Sequence, residues 1–292
     1  MNRFLYSFVI WLSIPIAILK ILIKDSRHPS WKVKARNQLG FVKKISGKVI
    51  WIHSVSVGEF NASKSLVDLL IMDYPSHKIV ISTTTMTGSG AVKNHYKSKV
   101  THCFFPFDSE IIIKSFLKKI NPEICILMET EIWPNLINQL KVKNIPVALI
   151  NARLSEKSFH KYQRFSSRLI SESLKNLSLI SSQNTFSSER LLSLGANEEK
   201  LSTTGNLKFD IDESIDNELI NTLRQMIGLR SIVVFASTRD GEEKLIIDSY
   251  LKFKENFDSL LLIVPRHPER FDIAFNIASD AERLLGEIPK LK

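Results

Sequence analysis

Cysteine is scarce in this chain, and the usual marks of a nucleic-acid binder are missing. Its 292 residues include two cysteines, Cys103 and Cys125, each within or beside an apolar run. That usage excludes a disulfide framework and a cysteine-built metal site, and fits buried, reduced thiols of a cytosolic compartment. No basic motif interleaved with aromatics stands out, so no nucleic-acid partner is expected. No P-loop or dinucleotide fingerprint is present either. The stretch Thr83-Thr-Thr-Met-Thr-Gly-Ser-Gly90 ahead of a helical pattern offers N–H groups to an anion, but it has neither spacing. The apolar N-terminus lacks a small-residue cleavage site, which argues against a removed signal peptide. The charge that is there leans one way. Forty Lys and Arg against thirty Asp and Glu leave +10, a field that attracts anionic lipid or a phosphorylated substrate. At 44% hydrophobic residues the chain folds, and its length suits about two domains.

Residues 4–23 form an apolar run broken only by Ser7, Ser13, Pro15 and Lys20, about the length that crosses a bilayer. Pro15 and Lys20 favour an interfacial helix over a clean span. Lys24, Arg27, Lys32, Lys34 and Arg36 crowd its C-terminal flank against Arg3 in front, which leaves the rest of the chain in the cytoplasm by the positive-inside rule. A buried first helix is the alternative. We divide the chain into a membrane-anchor helix (1–30), an N-terminal Rossmann-like acceptor domain (31–211) and a C-terminal nucleotide-sugar domain (212–292).

From residue 49 onward strands and helices alternate. Strands are expected at 49–53, 78–82, 101–105, 124–128 and 147–151, with helices at 62–72, 91–96, 111–120 and from Asn135, the pattern of a doubly wound parallel sheet. Ligands bind at the carboxyl edge of such sheets. Glu59 sits there, between the strand 49–53 and a helix whose periodicity begins near Phe60. The helix dipole should keep it ionised and able to accept a proton, although an ordinary helix-terminus charge reads the same way. In Glu129-Thr-Glu-Ile-Trp-Pro-Asn135, two acids follow a buried strand and precede a proline-opened helix. Capping explains one acid, hardly both.

A second alternating unit runs through 177–182, 185–194 and 201–204 into Gly205-Asn-Leu-Lys-Phe-Asp210, which puts the cation of Lys208 at a domain junction. Asp210-Ile-Asp212 has the form of a metal-binding Asp-x-Asp, but it adjoins the polar stretch 212–217 that reads as a linker, and no metal site is assigned. A strand at 232–236 then ends in Ser237-Thr-Arg-Asp-Gly-Glu-Glu243, a strand-to-helix turn suited to an anion through Ser237 and Thr238. The strand 260–264 runs into Pro265-Arg-His-Pro-Glu-Arg-Phe271. There Arg266 and His267 are placed for a nucleotide phosphate or base, since Arg offers a planar fork of donors.

Taken together, His53-Ser-Val-Ser-Val-Gly-Glu59, Met128-Glu-Thr-Glu-Ile-Trp-Pro-Asn135, Asn151-Ala-Arg-Leu-Ser155, Gly205-Asn-Leu-Lys-Phe-Asp210 and Pro265-Arg-His-Pro-Glu-Arg270 resemble, in order and spacing, the bacterial 3-deoxy-D-manno-octulosonic acid (Kdo) transferases of lipopolysaccharide synthesis. The resemblance implies an α/β fold of the GT-B type, with two Rossmann-like domains facing a cleft and an N-terminal anchor helix at the cytoplasmic face of the inner membrane. It implies inverting transfer of Kdo from CMP-Kdo to a lipid A precursor, with no cofactor and no essential bound metal. The implied partners are that precursor, CMP-Kdo and an inner-membrane surface carrying anionic lipid. By the same resemblance Glu59 is the general base, Glu129 and Lys208 support the transition state, and Pro265 and Arg266 form part of the CMP site. Members continue beyond the Pro-Arg-His-Pro-Glu-Arg helix with segments that complete the CMP pocket, so the second domain is expected to be incomplete. Two other readings compete: an inactive remnant that only binds membrane, and a sugar-nucleotide epimerase of the same fold. The apolar N-terminus argues against the epimerase.

Overall fold

The computed structural model describes residues 2–210, 217–253 and 259–283, and the chain divides into two compact units, Met1–Asp212 and Glu213–Lys292. The first unit is built on seven parallel strands: β1 (Lys48–His53), β2 (His77–Thr83), β3 (Thr101–Phe104), β4 (Ile124–Met128), β5 (Val147–Ala152), β6 (Leu179–Ser182) and β7 (Leu201–Thr203). Their order in the sheet is β3-β2-β1-β4-β5-β6-β7. β6 and β7 therefore extend the first sheet instead of starting a second one. The central strands are continuous apolar runs because both faces of a parallel sheet are covered. Val49, Trp51, Val80 and Leu127 face one core layer, while Ile50, Ile52, Ile81 and Met128 face the other.

The strand order reverses between β1 and β4. At such a switch point the connections leave to opposite sides and open a crevice at the carboxyl edge. The connection after β1 carries Glu59 into α3 (Val57–Asp73), and the connection after β4 carries Glu129 and Glu131 into α6 (Pro134–Val142). The topology thus brings together the two acidic segments singled out in the sequence.

The remaining helices of this unit are α1 (Arg3–Lys24), α2 (Trp31–Gln38), α4 (Met86–Tyr96), α5 (Glu110–Ile120), α7 (Glu156–Phe165), α8 (Ser167–Lys175) and α9 (Thr185–Ser193). α1 rests against α2 and α6, and α7 and α8 fill the long connection between β5 and β6.

The second unit contains α10 (Asn217–Ile227), β8 (Ser231–Thr238), α11 (Glu242–Phe253), β9 (Ser259–Pro265) and α12 (Phe271–Arg283), with β8 and β9 parallel. Among its described residues Ile247 and Ala274 are the buried apolar side chains, whereas Val234 and Phe235 of β8 are exposed. A parallel pair with so small a core has few contacts to resist opening. Hydrogen exchange at neutral pH should therefore protect the amides of β1 and β4 far longer than those of β8 and β9. Equal protection in the two units would refute this ranking.

Candidate functional site

β1 delivers His53 to the crevice. The ring is buried, stacks on Phe105 with centroids 3.8 Å apart, and sets Nδ1 3.0 Å from the Ser82 carbonyl oxygen. Nδ1 lies equally close, 3.0 Å, to the Ser82 hydroxyl, so Ser82 holds the ring through both groups. Nε2 then points toward Glu131 Oε2 at 3.7 Å, beyond hydrogen-bonding distance.

The next turn starts α3, with Ser56 at the N-cap and Glu59 in the first helical turn. Ser56 makes no side-chain bond to a helix N–H. Instead its hydroxyl donates to Glu59 Oε1 at 3.3 Å, and the Val55 N–H donates to Glu59 Oε2 at 2.7 Å. The carboxylate reaches back past the N-cap to the N–H of the residue before it, an ordinary structural use of an acid in the first helical turn, although neither bond of a capping box is made. Its environment is less ordinary. Burial pushes the Glu59 carboxyl up, the Val55 N–H pulls it back, and the charges of Glu131 and Glu129 push it up again, to about 7. The expectation that the helix dipole keeps Glu59 ionised is corrected accordingly. Removal from water and two neighbouring carboxylates outweigh a partial charge, so the carboxyl is pushed up toward neutral pH instead of being held in the ordinary glutamate range.

The acidic turn is held under strain. Glu129 has φ 55°, a left-handed conformation that costs a non-glycine residue about 1–3 kcal/mol. Its carboxylate lies 3.9 Å from Lys208 Nζ, with the Lys208 side chain half exposed. Lys208 is carried by a 3-10 turn, Leu207–Phe209, whose Leu207 N–H donates to Asn151 Oδ1 at 3.1 Å. Asn151 is itself left-handed at φ 57°, a conformation Asn tolerates well. Glu131 points the other way and accepts from Trp133 Nε1 at 2.7 Å. Glu129 and Lys208 thus lie within ion-pair distance of each other, and the charges of Glu129 and Glu131 both push the Glu59 carboxyl up.

Two neighbouring segments brace this arrangement. The threonine-rich loop after β2 uses its polar groups internally: Thr84 Oγ1 donates to the Val55 carbonyl at 3.1 Å, and Thr85 Oγ1 caps α4 by accepting from the Gly88 N–H at 3.0 Å. A Cβ on Gly88 would sit 2.8 Å from the Thr85 hydroxyl, so this close approach requires glycine. The loop read as anion-friendly therefore acts as a brace for the Glu59 turn. On the other side Asp108, buried, caps α6 by accepting from Asn135 N (3.1 Å) and Leu136 N (2.8 Å), and receives the Tyr6 hydroxyl at 2.8 Å. Burial pushes its carboxyl up to about 6, against the pull of these donors.

In the second unit Thr238 pairs with Pro265, and the Arg266 N–H donates to the Thr238 carbonyl at 3.1 Å. Ser237, Thr238, Pro265 and Arg266 thereby meet at the ends of β8 and β9. Ser237 adopts φ 64°, and Ser237, Arg266 and the following His267 are exposed. The Thr238 hydroxyl is engaged with Glu243 Oε1 at 3.0 Å, and Arg270 Nη2 donates to Glu243 Oε2 at 2.8 Å. This buried anchor was not read from the sequence. The approach of His53 to Glu131 was not read from the sequence either, though both stand in motifs the sequence singles out, at the ends of β1 and β4. Asp212 of the Asp-x-Asp stretch lies outside the described residues. Among the described residues no group of three or more His, Cys, Asp or Glu side chains is arranged to hold a metal ion.

Residues 33–211, more than half of the chain, match the family model for 3-deoxy-D-manno-octulosonic-acid transferase (kdotransferase). The chain belongs to that family. It is 36% identical over 285 residues to the 3-deoxy-D-manno-octulosonic acid transferase of Haemophilus influenzae, an alignment covering 95% of this chain and 66% of that protein. It is 32% identical to a probable mitochondrial 3-deoxy-D-manno-octulosonic acid transferase of Arabidopsis thaliana, over 81% of this chain and 54% of the other. The chain therefore spans about two thirds of the length of the Haemophilus relative. Among solved structures, a Neisseria meningitidis UDP-GlcNAc 2-epimerase bound to UDP-GlcNAc superposes with a TM-score of 0.51 at 16% identity, over 80% of this chain and 69% of that one. That likeness bears on fold alone, and agrees with an α/β architecture of the GT-B type.

Proposed function

We propose that the protein transfers Kdo from CMP-Kdo to a sugar hydroxyl of a lipid A precursor, with inversion and without a cofactor or bound metal, at the cytoplasmic face of the inner membrane. The observation that carries this reading is Glu59 at the switch-point crevice, held by the Val55 N–H and the Ser56 hydroxyl in the first turn of α3, with its carboxyl pushed up to about 7 by burial and by the charges of Glu131 and Glu129. A base with that affinity for protons is matched to neutral pH. As the acceptor oxygen attacks the anomeric carbon of Kdo, Glu59 takes its proton. The bond from that carbon to the CMP phosphate breaks, and the electron pair leaves on the phosphate oxygen. Attack opposite the leaving group inverts the centre. Lys208, steadied by Glu129, supplies positive charge for the charge that develops, an interaction stronger in the transition state than in the ground state. The turn of Ser237 and Thr238, with Pro265, Arg266 and His267, is the proposed CMP contact. α1 is the proposed membrane anchor.

Two measurements test this reading. Replacing Lys208 with Met should lower turnover about tenfold, modest for an electrostatic role because the side chain is half exposed and screened by water. An unchanged kcat would remove Lys208 from the mechanism. The pH profile tests Glu59 itself. Activity requires the ionised form, so kcat/KM should rise with pH to a half-point at about 7. Glu131→Gln, which removes one of the two like charges, should move that half-point to lower pH. An acid limb in the ordinary glutamate range, or one indifferent to Glu131→Gln, would exclude Glu59 as the titrating base.

A further inference from the structure

α1 is long and apolar enough to cross a membrane, but the contacts of its inner face fix how it can lie. Tyr6, Ser7, Ile10, Ile14, Ala17 and Ile21 recur at helical spacing and are half-buried or buried. Arg3 donates to Asn138, the Tyr6 hydroxyl to Asp108 at 2.8 Å, and the Ser7 hydroxyl to Asn135 at 3.1 Å. At about 1.5 Å per residue the docked stripe from Arg3 to Ile21 is about 27 Å long, nearly the whole hydrocarbon thickness of about 30 Å. If α1 crossed the bilayer in this state it would carry Asp108, Asn135, Asn138 and the start of α6 into a medium with no water to satisfy them.

The outer face is chemically different. Phe4, Phe8, Trp11, Leu12, Leu19 and Ile23 are exposed, Phe4 by 82%. Lys20, Lys24, Arg27 and Lys32 are exposed at its C-terminal half and just beyond. One apolar face, one docked face and a cationic end are the features of a helix lying in the interface plane.

We propose that α1 does not cross the membrane but lies flat in its surface, with its outer face in an anionic bilayer and its inner face on the α/β unit. This rests on the membrane part of the reading above and fixes its geometry. Both ends of α1 then lie on the same side of the bilayer, and Trp11 sits at the level of the head groups and upper acyl chains. The Tyr6–Asp108–α6 contact further joins the membrane-facing helix to the helix that follows the acidic turn.

Single cysteines at the polar ends, Asn2→Cys and Lys24→Cys, separate the possibilities, since Cys103 and Cys125 are buried. In inverted inner-membrane vesicles an impermeant maleimide should label both positions. In intact spheroplasts it should label neither. Labelling of Asn2→Cys only from the periplasmic side would overturn the flat arrangement while leaving the membrane reading intact. Recovery of the protein in the soluble fraction, as monomer or dimer, would overturn both. In vesicles of phosphatidylethanolamine and phosphatidylglycerol, bromines placed shallow in the acyl chain should quench Trp11 emission, taken as the difference from Trp11→Phe, more than bromines near the chain end. The reverse order would place Trp11 near the bilayer centre and contradict the proposal.

Discussion

Replacing Glu59 with Gln should lower turnover by about two to four orders of magnitude while leaving the fold intact, because positioned proton transfer is worth about that much. Gln keeps the shape and the acceptor for the Val55 N–H, and loses only the capacity to take a proton. The same change should affect stability in a pH-dependent way. A carboxyl whose folded pKa is raised contributes stability that is fully present below its unfolded value of 4.5 and is lost as pH rises through about 7. Wild type and Glu59→Gln should therefore melt together near pH 4. At pH 8 the variant should be the more stable by about 2–3 kcal/mol: a rise from 4.5 to about 7 at 1.36 kcal/mol per pK unit gives about 3.4 kcal/mol, reduced because water reaches part of the carboxylate. Loss of activity with gain of stability marks a group held for chemistry at a cost to the fold. A capping carboxylate would show the opposite, a variant that is active and less stable.

The second large effect concerns the scaffold. Trp51 on β1 is fully buried, lies against Phe105 and Phe116, and donates from Nε1 to Ser82 Oγ at 2.8 Å. Trp51→Ala should cost about 3–5 kcal/mol through lost burial and the cavity left behind. Against a total of about 5–15 kcal/mol for a typical fold this lowers the melting temperature of the first unit by about 10 °C. Ser82 also takes part in holding His53, so activity at permissive temperature should fall as well. Calorimetry showing a shift of under about 2 °C would mean that the core around β1 relaxes to fill the space.

The strands of the first unit were legible to within about two residues because uninterrupted β-branched and apolar runs have few other uses. α3 was read short at its start. Ser56 and Glu59 begin it at Val57, and the glycine at 58 obscured the signal. α7 and α8 were not read at all: α7 buries none of its residues, and α8 turns inward only a short stripe, Leu169, Ile170 and Leu174, set among polar residues. The meeting of Glu59 with Glu129 and Glu131 follows from strand order, which spacing suggests but does not fix. The raised pKa of Glu59 was out of reach, since burial of a side chain in a turn depends on the loops folded over it. The same holds for His53, whose ring is held by Ser82, 29 residues away, and for the left-handed backbone at Glu129, which no local preference of glutamate foretells.

The account is tested most directly by the mass of the lipid acceptor after the protein is incubated with CMP-Kdo and a lipid A precursor in anionic bilayers, followed in parallel for Glu59→Gln. The account predicts an acceptor heavier by the mass of a transferred Kdo residue, with CMP released in step, and almost no such product from the variant. An acceptor left unchanged by the wild-type protein, or converted equally fast by Glu59→Gln, would contradict it.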